Sequence, residues 1–312
     1  MKLGIIIPCY DEAEGLPEIT KQLQTLMGEM IEHGDISPDS FVCYVDDGSQ
    51  DNTWKIMQSI TQNTSLFRGL KLSRNFGHQN ALIAGLMQYK NQADALISMD
   101  ADLQDDITLI KSFVERYKEG YDIVYGVRDN RETDSVFKRN SAGMFYKFQH
   151  LIGIKTMQNH ADYRLMSQKA LEALSQFEEI NLFLRGIIPL LGFRSCSVYY
   201  SREERFAGET KYPFKKMLLF ALDGITSFTI IPLRFITITG FILFLLSLTG
   251  ILWVLIEKFV LHNTIQGWAS TMVSIYFIGG IQVMGLGIIG EYVGRNFQQS
   301  KNRPRYIIEE EI

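Results

Sequence analysis

The chain has 312 residues, a formal net charge of -4 and an isoelectric point near 5.8. This length accommodates one large globular domain and a smaller element, and the acidic balance excludes a general basic surface for wrapping nucleic acid. An anionic ligand would therefore need local clusters of basic side chains. The three cysteines, Cys9, Cys43 and Cys196, are too few and too scattered for a disulfide framework or a zinc site, which favours buried thiols in a reducing compartment.

The first 130 residues alternate short apolar runs with longer amphipathic stretches. The N-terminal run MKLGIIIPCYDE is too short for a signal-peptide core and ends in acids, so it predicts a first strand. Strands are predicted at 3–8, 41–45, 69–73, 95–99 and 122–127, and helices at roughly 15–32, 51–62, 78–90 and 106–118. Asp51 and either Asp105 or Asp106 stand where helix caps are expected. This alternation predicts an α/β domain with a mostly parallel, Rossmann-like sheet, in which ligands bind beyond the carboxyl ends of the strands.

Polar clusters follow three of these strands, at 8–12, 46–51 and 100–104. Like charges brought together need a cation or hydrogen-bond donors to offset their repulsion. Asp100 and Asp102, backed by Gln104, supply hard oxygen ligands suited to Mg²⁺ or Mn²⁺, and such a metal would stabilise a departing diphosphate. Haloacid-dehalogenase-type phosphatases also use a DxD motif, but at the first strand. Here the first strand ends in PCYDE, which excludes that alternative on placement.

Two long uncharged runs stand in the C-terminal part of the chain. Phe235–Ile256 has about 22 residues and Gly267–Gly290 about 24, and either is long enough as a helix to cross roughly 30 Å of hydrocarbon. The short turn between them favours a membrane hairpin over a buried helical pair in a soluble protein. Basic residues lie outside the hairpin (Lys215, Lys216, Arg234, Arg295, Lys301, Arg303 and Arg305), whereas the turn has only Lys258. This asymmetry places both ends of the hairpin in the cytoplasm.

Four parts are therefore predicted. A cytoplasmic catalytic domain covers 1–212, and its part from 131 onward, which mixes helical stretches with loops, is interpreted as the acceptor half. An amphipathic interfacial segment at 213–233, the hairpin at 234–292 and a solvated cytoplasmic tail at 293–312 follow. In the second run Gly280, Gly287 and Gly294 recur every seven residues, and Gly290 with Gly294 forms a GxxxG pair. This pattern predicts a homo-oligomer through the second span, with packing against the chain's own first span as the alternative.

Six motifs occur in the order PCYDE, DDGSQDNT, SRNFGHQNALIAG, DADLQ, ADYRLMS and RFAGETKY. Together they resemble the family-2 glycosyltransferases of the GT-A fold. More narrowly, the chain resembles the polyprenyl-phosphate glycosyltransferases, the group of dolichyl-phosphate mannose synthase and bactoprenol glucosyltransferase, over essentially its whole length. Two departures are Asp11, where the group often has Asn, and Thr210, where GESK is common. Both conserve hydrogen-bonding capacity.

The resemblance implies roles for individual residues. The donor site, including the nucleoside pocket, would involve Pro8, Tyr10, Glu12, Asp46, Asp47, Arg74 and Asp100. The metal ion would be held by Asp100, Asp102 and Gln104, with Asp102 counted as catalytic. The phosphates of donor and acceptor would be bound by Arg128, Arg139, Arg205 and Lys211. Asp162 would lie near the reacting centre as a positioning residue or weak base, because a phosphate acceptor is already ionised, with a helix cap as the alternative.

The histidines contribute little to this interpretation. His78, at a predicted helix start, is expected to pack or cap, and His160 is a weak candidate beside Asp162. A covalent mechanism is not expected, because the sequence has no GxSxG motif and nothing places a nucleophile beside a histidine.

The implied reaction is inverting, single-displacement transfer of glucose from UDP-glucose to undecaprenyl phosphate at the cytoplasmic face of the inner membrane, for cell-envelope glycan modification. The alternative donors carry N-acetylglucosamine, mannose (as GDP-mannose) or formamido-arabinose. A processive polysaccharide synthase is disfavoured because the QxxRW motif is absent and two spans are too few for a channel. A non-catalytic membrane scaffold for a flippase has no need of the acidic clusters.

Overall fold

The computed structural model describes residues 1–128, 160–179, 184–200 and 267–312, with isolated positions between 236 and 256. The chain divides into two compact units, one formed by Met1–Pro213 with Pro304–Ile312 and the other by Phe214–Arg303. The C-terminal residues thus belong to the first unit. The predicted interfacial segment at 213–233 and most of the first predicted span lie outside the described residues and stay predictions.

The first unit contains all the predicted strands and helices of residues 1–130, with bounds within three residues of those expected. Its strands are β1 (Leu3–Cys9), β2 (Phe41–Asp46), β3 (Phe67–Leu72), β4 (Ala95–Ser98), β5 (Ile123–Arg128), β6 (His160–Ser167), β7 (Ser195–Tyr200) and β8 (Ile308–Glu311). Its helices are α1 (Leu16–Glu32), α2 (Thr53–Asn63), α3 (His78–Tyr89), α4 (Leu109–Lys118), α5 (Gln168–Leu174) and α6 (Leu184–Leu190).

The strands form one eight-stranded sheet in the order β7-β5-β6-β4-β1-β2-β3-β8. Strands β4, β1, β2 and β3 are parallel neighbours, and β7 pairs with β5 in parallel. Strand β6 runs antiparallel to both β4 and β5, and β8 runs antiparallel to β3. The predicted α/β class is confirmed, and the sheet is mixed.

Burial explains the central strands. Every residue of β1 and β2 is buried, as expected for parallel strands covered by helices on both faces. Helix α1 packs its apolar stripe, including Ile19, Leu23 and Met27, into the core on one of these faces. On the other face the backbone of α3 at Gly85 approaches Ile6 and Val45 so closely that a Cβ atom would lie 2.4 Å from the Ile6 side chain.

The two predicted acidic caps are displaced. The N-cap of α2 is Asn52 and that of α4 is Thr108, so neither Asp51 nor Asp106 occupies the cap position. Each aspartate lies nearby and accepts a hydrogen bond from a backbone N–H two residues further on, from Thr53 at 2.9 Å and from Thr108 at 2.9 Å. This is the local turn that short acidic side chains favour.

Three strands were missed, β6, β7 and β8, and in β6 and β8 charged residues hide the apolar pattern. Strand β6 lies in the middle of the sheet although it contains Asp162 and Arg164, which pair with each other. Strand β8 has the sequence IEEE, which was predicted to be solvated tail. Its backbone pairs with β3, and the Glu311 carboxylate accepts hydrogen bonds from the Tyr89 hydroxyl and the Gln88 amide, both at 2.8 Å.

The second unit contains helix α7 (Trp268–Ser300), which continues ten residues past the predicted end of the second span. Within the described residues one helical segment, Phe277–Ser300, is long and apolar enough to cross a membrane by length and composition. The two-span hairpin is therefore not confirmed. A Cβ atom at Gly285 would lie 3.4 Å from Ile236, whereas one at Gly287 or Gly294 would meet no atom of the described residues within 4 Å. The predicted oligomer stays a prediction.

Candidate active site

The three acidic clusters converge at one edge of the sheet. Strand β1 pairs in parallel with β2, with Cys9 opposite Asp46, and in parallel with β4, with Ile6 opposite Ser98. The carboxyl ends of these strands therefore point the same way, and the loops that follow them carry the polar residues. This placement agrees with the prediction.

Hydrogen bonds join the loop after β1 to the loop after β2. The Asp11 carboxylate accepts from the Gln50 N–H at 2.8 Å, and the Asp11 N–H donates to Ser49 Oγ at 3.0 Å. The Glu12 N–H donates to Thr53 Oγ1 at 2.9 Å. Asp11 has φ +54, a left-handed conformation that Asp and Asn tolerate better than most residues. The side-chain oxygen that Asp shares with Asn is used here, so this departure from the family pattern leaves the loop contact intact.

Asp46 and Asp47 have different tasks. Both carboxylate oxygens of Asp47 accept backbone N–H groups, from Phe76 at 2.7 Å and from Gly77 at 2.9 Å, so this side chain fixes the loop before α3. Asp46 Oδ1 accepts from the Ser49 N–H at 3.1 Å, but its buried Oδ2 has no hydrogen-bond partner within the described part of the chain. Burial raises the pKa of both carboxyls. Asp46 is therefore the better candidate to accept a hydrogen bond from a bound base.

Gly48 brings the Arg74 backbone against this loop. Gly48 has φ +71, and a Cβ atom there would lie 2.5 Å from the Arg74 carbonyl carbon, so only glycine fits. The Arg74 guanidinium donates to the Asn75 carbonyl at 2.9 Å and lies 3.9 Å over the Phe76 ring. Arg74 thus lies beside the loop that carries Asp46, and its predicted role at the donor stays a prediction. Tyr10, in the loop after β1, is 42% exposed.

Asp100 and Asp162 meet because of the antiparallel register of β4 and β6. Ser98 lies opposite Arg164, so two residues further on Asp100 faces Asp162. His78, at the start of α3, lies between them, with Nε2 3.4 Å from Asp100 Oδ1 and 3.9 Å from Asp162 Oδ2. The expectation that His78 merely packs or caps is therefore wrong. Gly77, with φ +93, turns the chain just before it.

Two arginines bracket the Asp162 carboxylate. The fully buried Arg164 contacts Oδ1, and Arg185 on α6 places Nη2 3.1 Å from Oδ2. Burial alone would raise the pKa of Asp162, but the Arg164 and Arg185 guanidinium groups overcome it and lower that pKa below its ordinary value. A carboxylate held in this way is a poor proton acceptor, which favours the positioning role over the weak base. Asp162 lies within β6, so it is not a helix cap; the α5 cap is Ser167.

Asp100 is the carboxyl of this site whose ionised form is disfavoured by its surroundings. Burial raises its pKa to about 6; the nearby His78 lowers it, while the neighbouring carboxylates Asp162, Asp105 and Asp102 raise it. The backbone N–H of Gln104 donates to Asp102 Oδ1 at 3.2 Å, and Leu103 has φ +55, which makes this a tight turn. Within the described residues no group of three or more His, Cys, Asp and Glu side chains is arranged to hold a metal ion. Mg²⁺ commonly takes one or two carboxylates and completes its shell with substrate phosphates and water. A cation at Asp100 would offset the burial and the neighbouring carboxylates that raise the pKa of this group.

Arg128, predicted to bind phosphate, is paired within the protein. Its Nη2 lies 3.1 Å from Asp105 Oδ1, and its Nε donates to the Tyr200 hydroxyl at 3.2 Å. Tyr200 also bonds Asp105, which is buried. This cluster joins β5 and β7 to the loop after β4. Arg139, Arg205 and Lys211 lie outside the described residues, and so does the side chain of His160.

Sequence reasoning missed four residues of this site: His78, Arg164, Arg185 and Asp105. Arg164 had a usable signal, because it lies two residues from Asp162 and therefore on the same side of a strand. His78 and Arg185 had none, since they come from separate helices that only the folded sheet brings to the ends of β4 and β6. Asp105 looked like a helix cap, and its partner Tyr200 is distant in sequence.

The family model "Glycosyl transferase family 2" matches residues 4–175. The chain is similar to an uncharacterized glycosyltransferase, YkoT, of Bacillus subtilis (strain 168), with 50% identity over 307 residues, which are 98% of this chain and 91% of that protein. It is similar to the bactoprenol glucosyl transferase of Shigella phage SfV, with 37% identity over 313 residues, 100% of this chain and 99% of that protein. A solved mannosyltransferase from Pyrobaculum calidifontis, in complex with GDP-Man and Mn²⁺, covers 67% of this chain and 58% of its own at 17% identity and a TM-score of 0.46.

Proposed function

This chain belongs to glycosyl transferase family 2, and we propose that it transfers glucose from UDP-glucose to undecaprenyl phosphate, a polyprenyl phosphate, at the cytoplasmic face of the membrane. The relatives named bactoprenol glucosyl transferases, which match the full chain at about 37% identity, support the acceptor class and the sugar. The basic residues outside the predicted hairpin support the cytoplasmic orientation.

The observation that carries the proposal is the order of polar groups along the carboxyl edge. The order from β2 through β1 and β4 to β6 is Asp46, whose Oδ2 has no hydrogen-bond partner among the described residues, then Asp100, then Asp162 with its arginines. A nucleoside bound at Asp46 would bring its diphosphate toward Asp100 and Asp102, and the sugar toward Asp162. A single site then holds donor and acceptor in line.

The proposed chemistry is a single displacement. An oxygen of the acceptor phosphate attacks the anomeric carbon of glucose, the bond from that carbon to the diphosphate oxygen breaks, and UDP leaves. A phosphate monoester is largely ionised at neutral pH, so no base is required. The lowered pKa of Asp162, which makes it a poor proton acceptor, agrees with this. Asp100 and Asp102, with Gln104, would hold Mg²⁺ or Mn²⁺, which when bound stabilises the negative charge of the departing diphosphate.

The acceptor is proposed to arrive from the membrane side. Arg205 and Lys211 immediately precede the predicted interfacial segment, where a lipid phosphate would lie at the bilayer surface. These two residues, together with Arg139, are proposed as acceptor contacts, and α7 as part of the membrane anchor.

The proposal is tested by incubating the purified full chain with undecaprenyl phosphate, Mg²⁺ or Mn²⁺, and one nucleotide-sugar at a time, with mass spectrometry of the lipid product. UDP-glucose should give hexosyl-phosphoryl-undecaprenol and UDP. Product from only UDP-N-acetylglucosamine, GDP-mannose or a formamido-arabinose donor would correct the sugar. The absence of lipid product with every donor would contradict the activity.

A further inference from the structure

Arg185 stands at the entrance of the candidate site, in the first turn of α6. Its Nη2 lies 3.1 Å from Asp162 Oδ2 and its Nε 3.4 Å from Oδ1. The Arg185 side chain is 42% exposed, whereas the Asp162 side chain is only 9% exposed. A buried carboxylate thus orients this guanidinium, and part of the Arg185 side chain is exposed to solvent.

The position of α6 is set by contacts to the rest of the site. The Leu184 N–H, one residue before Arg185, approaches Gln79 Oε1 at 3.4 Å, and Gln79 follows His78 in α3. Ser98 Oγ donates to the Asp162 carbonyl at 2.5 Å, which fixes β6 to the end of β4. Arg185 is therefore held relative to Asp100 through both helices and strands.

Two arginines contact the same carboxylate, but they differ in exposure. The fully buried Arg164 already neutralises Asp162 inside the protein. Arg185 adds a second positive charge at the accessible side of Asp162. A planar guanidinium of this kind suits bidentate binding of a phosphate.

The sheet order indicates which phosphate would be bound. The proposed nucleoside pocket lies at β1 and β2, the proposed metal site at β4, and Arg185 at Asp162 of β6. Strands β2 and β6 are three strand spacings apart, about 14 Å in all. If the donor diphosphate lies at Asp100 and Asp102 and the sugar toward Asp162, Arg185 would be on the acceptor side of the sugar.

We propose that Arg185 binds the phosphate of the lipid acceptor and that Asp162 is a positioning residue that orients this guanidinium. This rests on the proposed function for the identity of the acceptor. It explains why Asp162 is needed near the reacting centre without removing a proton.

The test is binding of farnesyl monophosphate, a short soluble polyprenyl phosphate, to the detergent-solubilised full chain by calorimetry, with farnesol and UDP-glucose as separate ligands. Arg185→Ala should weaken farnesyl monophosphate binding about tenfold or more and change UDP-glucose binding less than twofold, because only the phosphate loses a charged partner. The affinity of Arg185→Lys for farnesyl monophosphate should lie between the affinities of the wild type and of Arg185→Ala. The matched control is Arg194→Ala, since Arg194 precedes β7 at the opposite edge of the sheet, where it stacks on Tyr121.

Asp162→Asn tests the positioning role. It should weaken farnesyl monophosphate binding in the otherwise native chain and have no further effect once Arg185 is alanine, because it acts through that side chain. A loss of turnover by Asp162→Asn with unchanged affinity for the acceptor would instead make Asp162 a base and overturn this role.

The remaining outcomes are decided by the same measurements. If farnesyl monophosphate binds no better than farnesol, or binds equally well to Arg185→Ala, the phosphate role of Arg185 is wrong. If UDP-glucose affinity falls as much as or more than that for the acceptor, Arg185 belongs to the donor side and the proposal fails. If the wild-type chain binds farnesyl monophosphate through Arg185 yet forms no glucosyl lipid, it is the proposed function that fails.

Discussion

The two halves of the carboxyl edge are built differently. At β1 and β2 the loops are joined by hydrogen bonds, in which the Asp11 and Asp47 carboxylates accept from backbone N–H groups. At β4 and β6 the contacts are ionic, with Asp100, Asp162 and His78 close together and arginines behind them. In the first half Asp11 and Asp47 find their partners within the protein, and Asp46 keeps one buried oxygen without a hydrogen-bond partner among the described residues. The second half contains the buried Asp100 carboxylate close to other carboxylates, and a bound cation would balance its negative charge.

This contrast separates what holds the fold from what performs chemistry. Backbone amides that are fixed by a turn keep their geometry whether or not a ligand is bound, which suits a nucleoside pocket. A carboxylate whose pKa is raised by burial and by like charges costs stability until a cation arrives, which is common at functional sites. Substitutions in one half at a time test this contrast.

The largest effect is expected from Asp102→Asn in the charged half. It removes one of the two anionic oxygens proposed to hold the metal, so transfer should fall at least about 100-fold while the fold stays intact. The rate of glucosyl-lipid formation and the far-UV circular dichroism spectrum measure these two properties. Near-normal turnover by the wild type in EDTA would remove the metal from the mechanism.

Gly48→Ala disturbs the hydrogen-bonded half. The added Cβ would lie 2.5 Å from the Arg74 backbone at a φ of +71, so we expect the free energy of unfolding to fall by about 2 to 4 kcal/mol. UDP-glucose affinity should fall with it, because Arg74 and the loop after β2 move apart. Chemical denaturation gives the first value and calorimetry the second.

The matched control is Gly28→Ala. Gly28 lies inside α1, where a Cβ would meet nothing within 4 Å, so this change should stabilise the protein by up to about 1 kcal/mol. Equal effects of the two substitutions would show that the contact between Gly48 and Arg74 is unimportant.

Asp100→Asn should stabilise the metal-free protein. The pKa of Asp100 is raised from 3.8 to about 6, so its proton stabilises the folded state at low pH, and that contribution is lost as the pH rises from about 4 to 6. Above pH 6 the asparagine variant should be more stable than the wild type by about 1 to 3 kcal/mol, and this difference should vanish near pH 4.

Denaturation in EDTA across pH 4 to 8 measures this difference, with the exposed Asp39→Asn as the control. A variant that is less stable than the wild type at pH 7 would mean that the Asp100 carboxylate is stabilised by its partners and carries no strain.

The smallest effect is expected far from both halves, at the C-terminal strand. Glu311→Gln weakens the hydrogen bonds from Tyr89 and Gln88 and should cost about 1 kcal/mol without changing transfer. Glu309→Gln, which breaks an exposed pair with Lys71, should cost less than about 0.5 kcal/mol. Equal costs would mean that β8 is held by its backbone pairing alone.

Local patterns predicted the first 130 residues well because each element there obeys one simple rule. Strands β1 and β2 are uninterrupted apolar runs, and α1 has a clear apolar stripe. The acidic clusters could be assigned to one edge because parallel strands align their carboxyl ends. The hydrogen-bonded half of the candidate site was therefore accessible from the sequence.

The charged half was not accessible in the same way. Asp162 was expected near the centre from the motif, but its arginines come from β6 itself and from a helix more than twenty residues later. The placement of His78 between Asp100 and Asp162 depends on the antiparallel insertion of β6 beside β4, which the charges of β6 concealed. Strand β8 needed a pairing across almost the whole chain, between Gly69 and Ile312.

The most direct test of the account is the configuration of the product. Glucose has an α linkage in UDP-glucose, so a single displacement by a phosphate oxygen gives a β-linked glucosyl phosphate, with one UDP released for each lipid formed. Proton and phosphorus NMR of the purified lipid product measure the anomeric coupling directly. We predict the β anomer; an α-linked product would require a covalent enzyme intermediate or front-side attack and would contradict the displacement proposed at this edge.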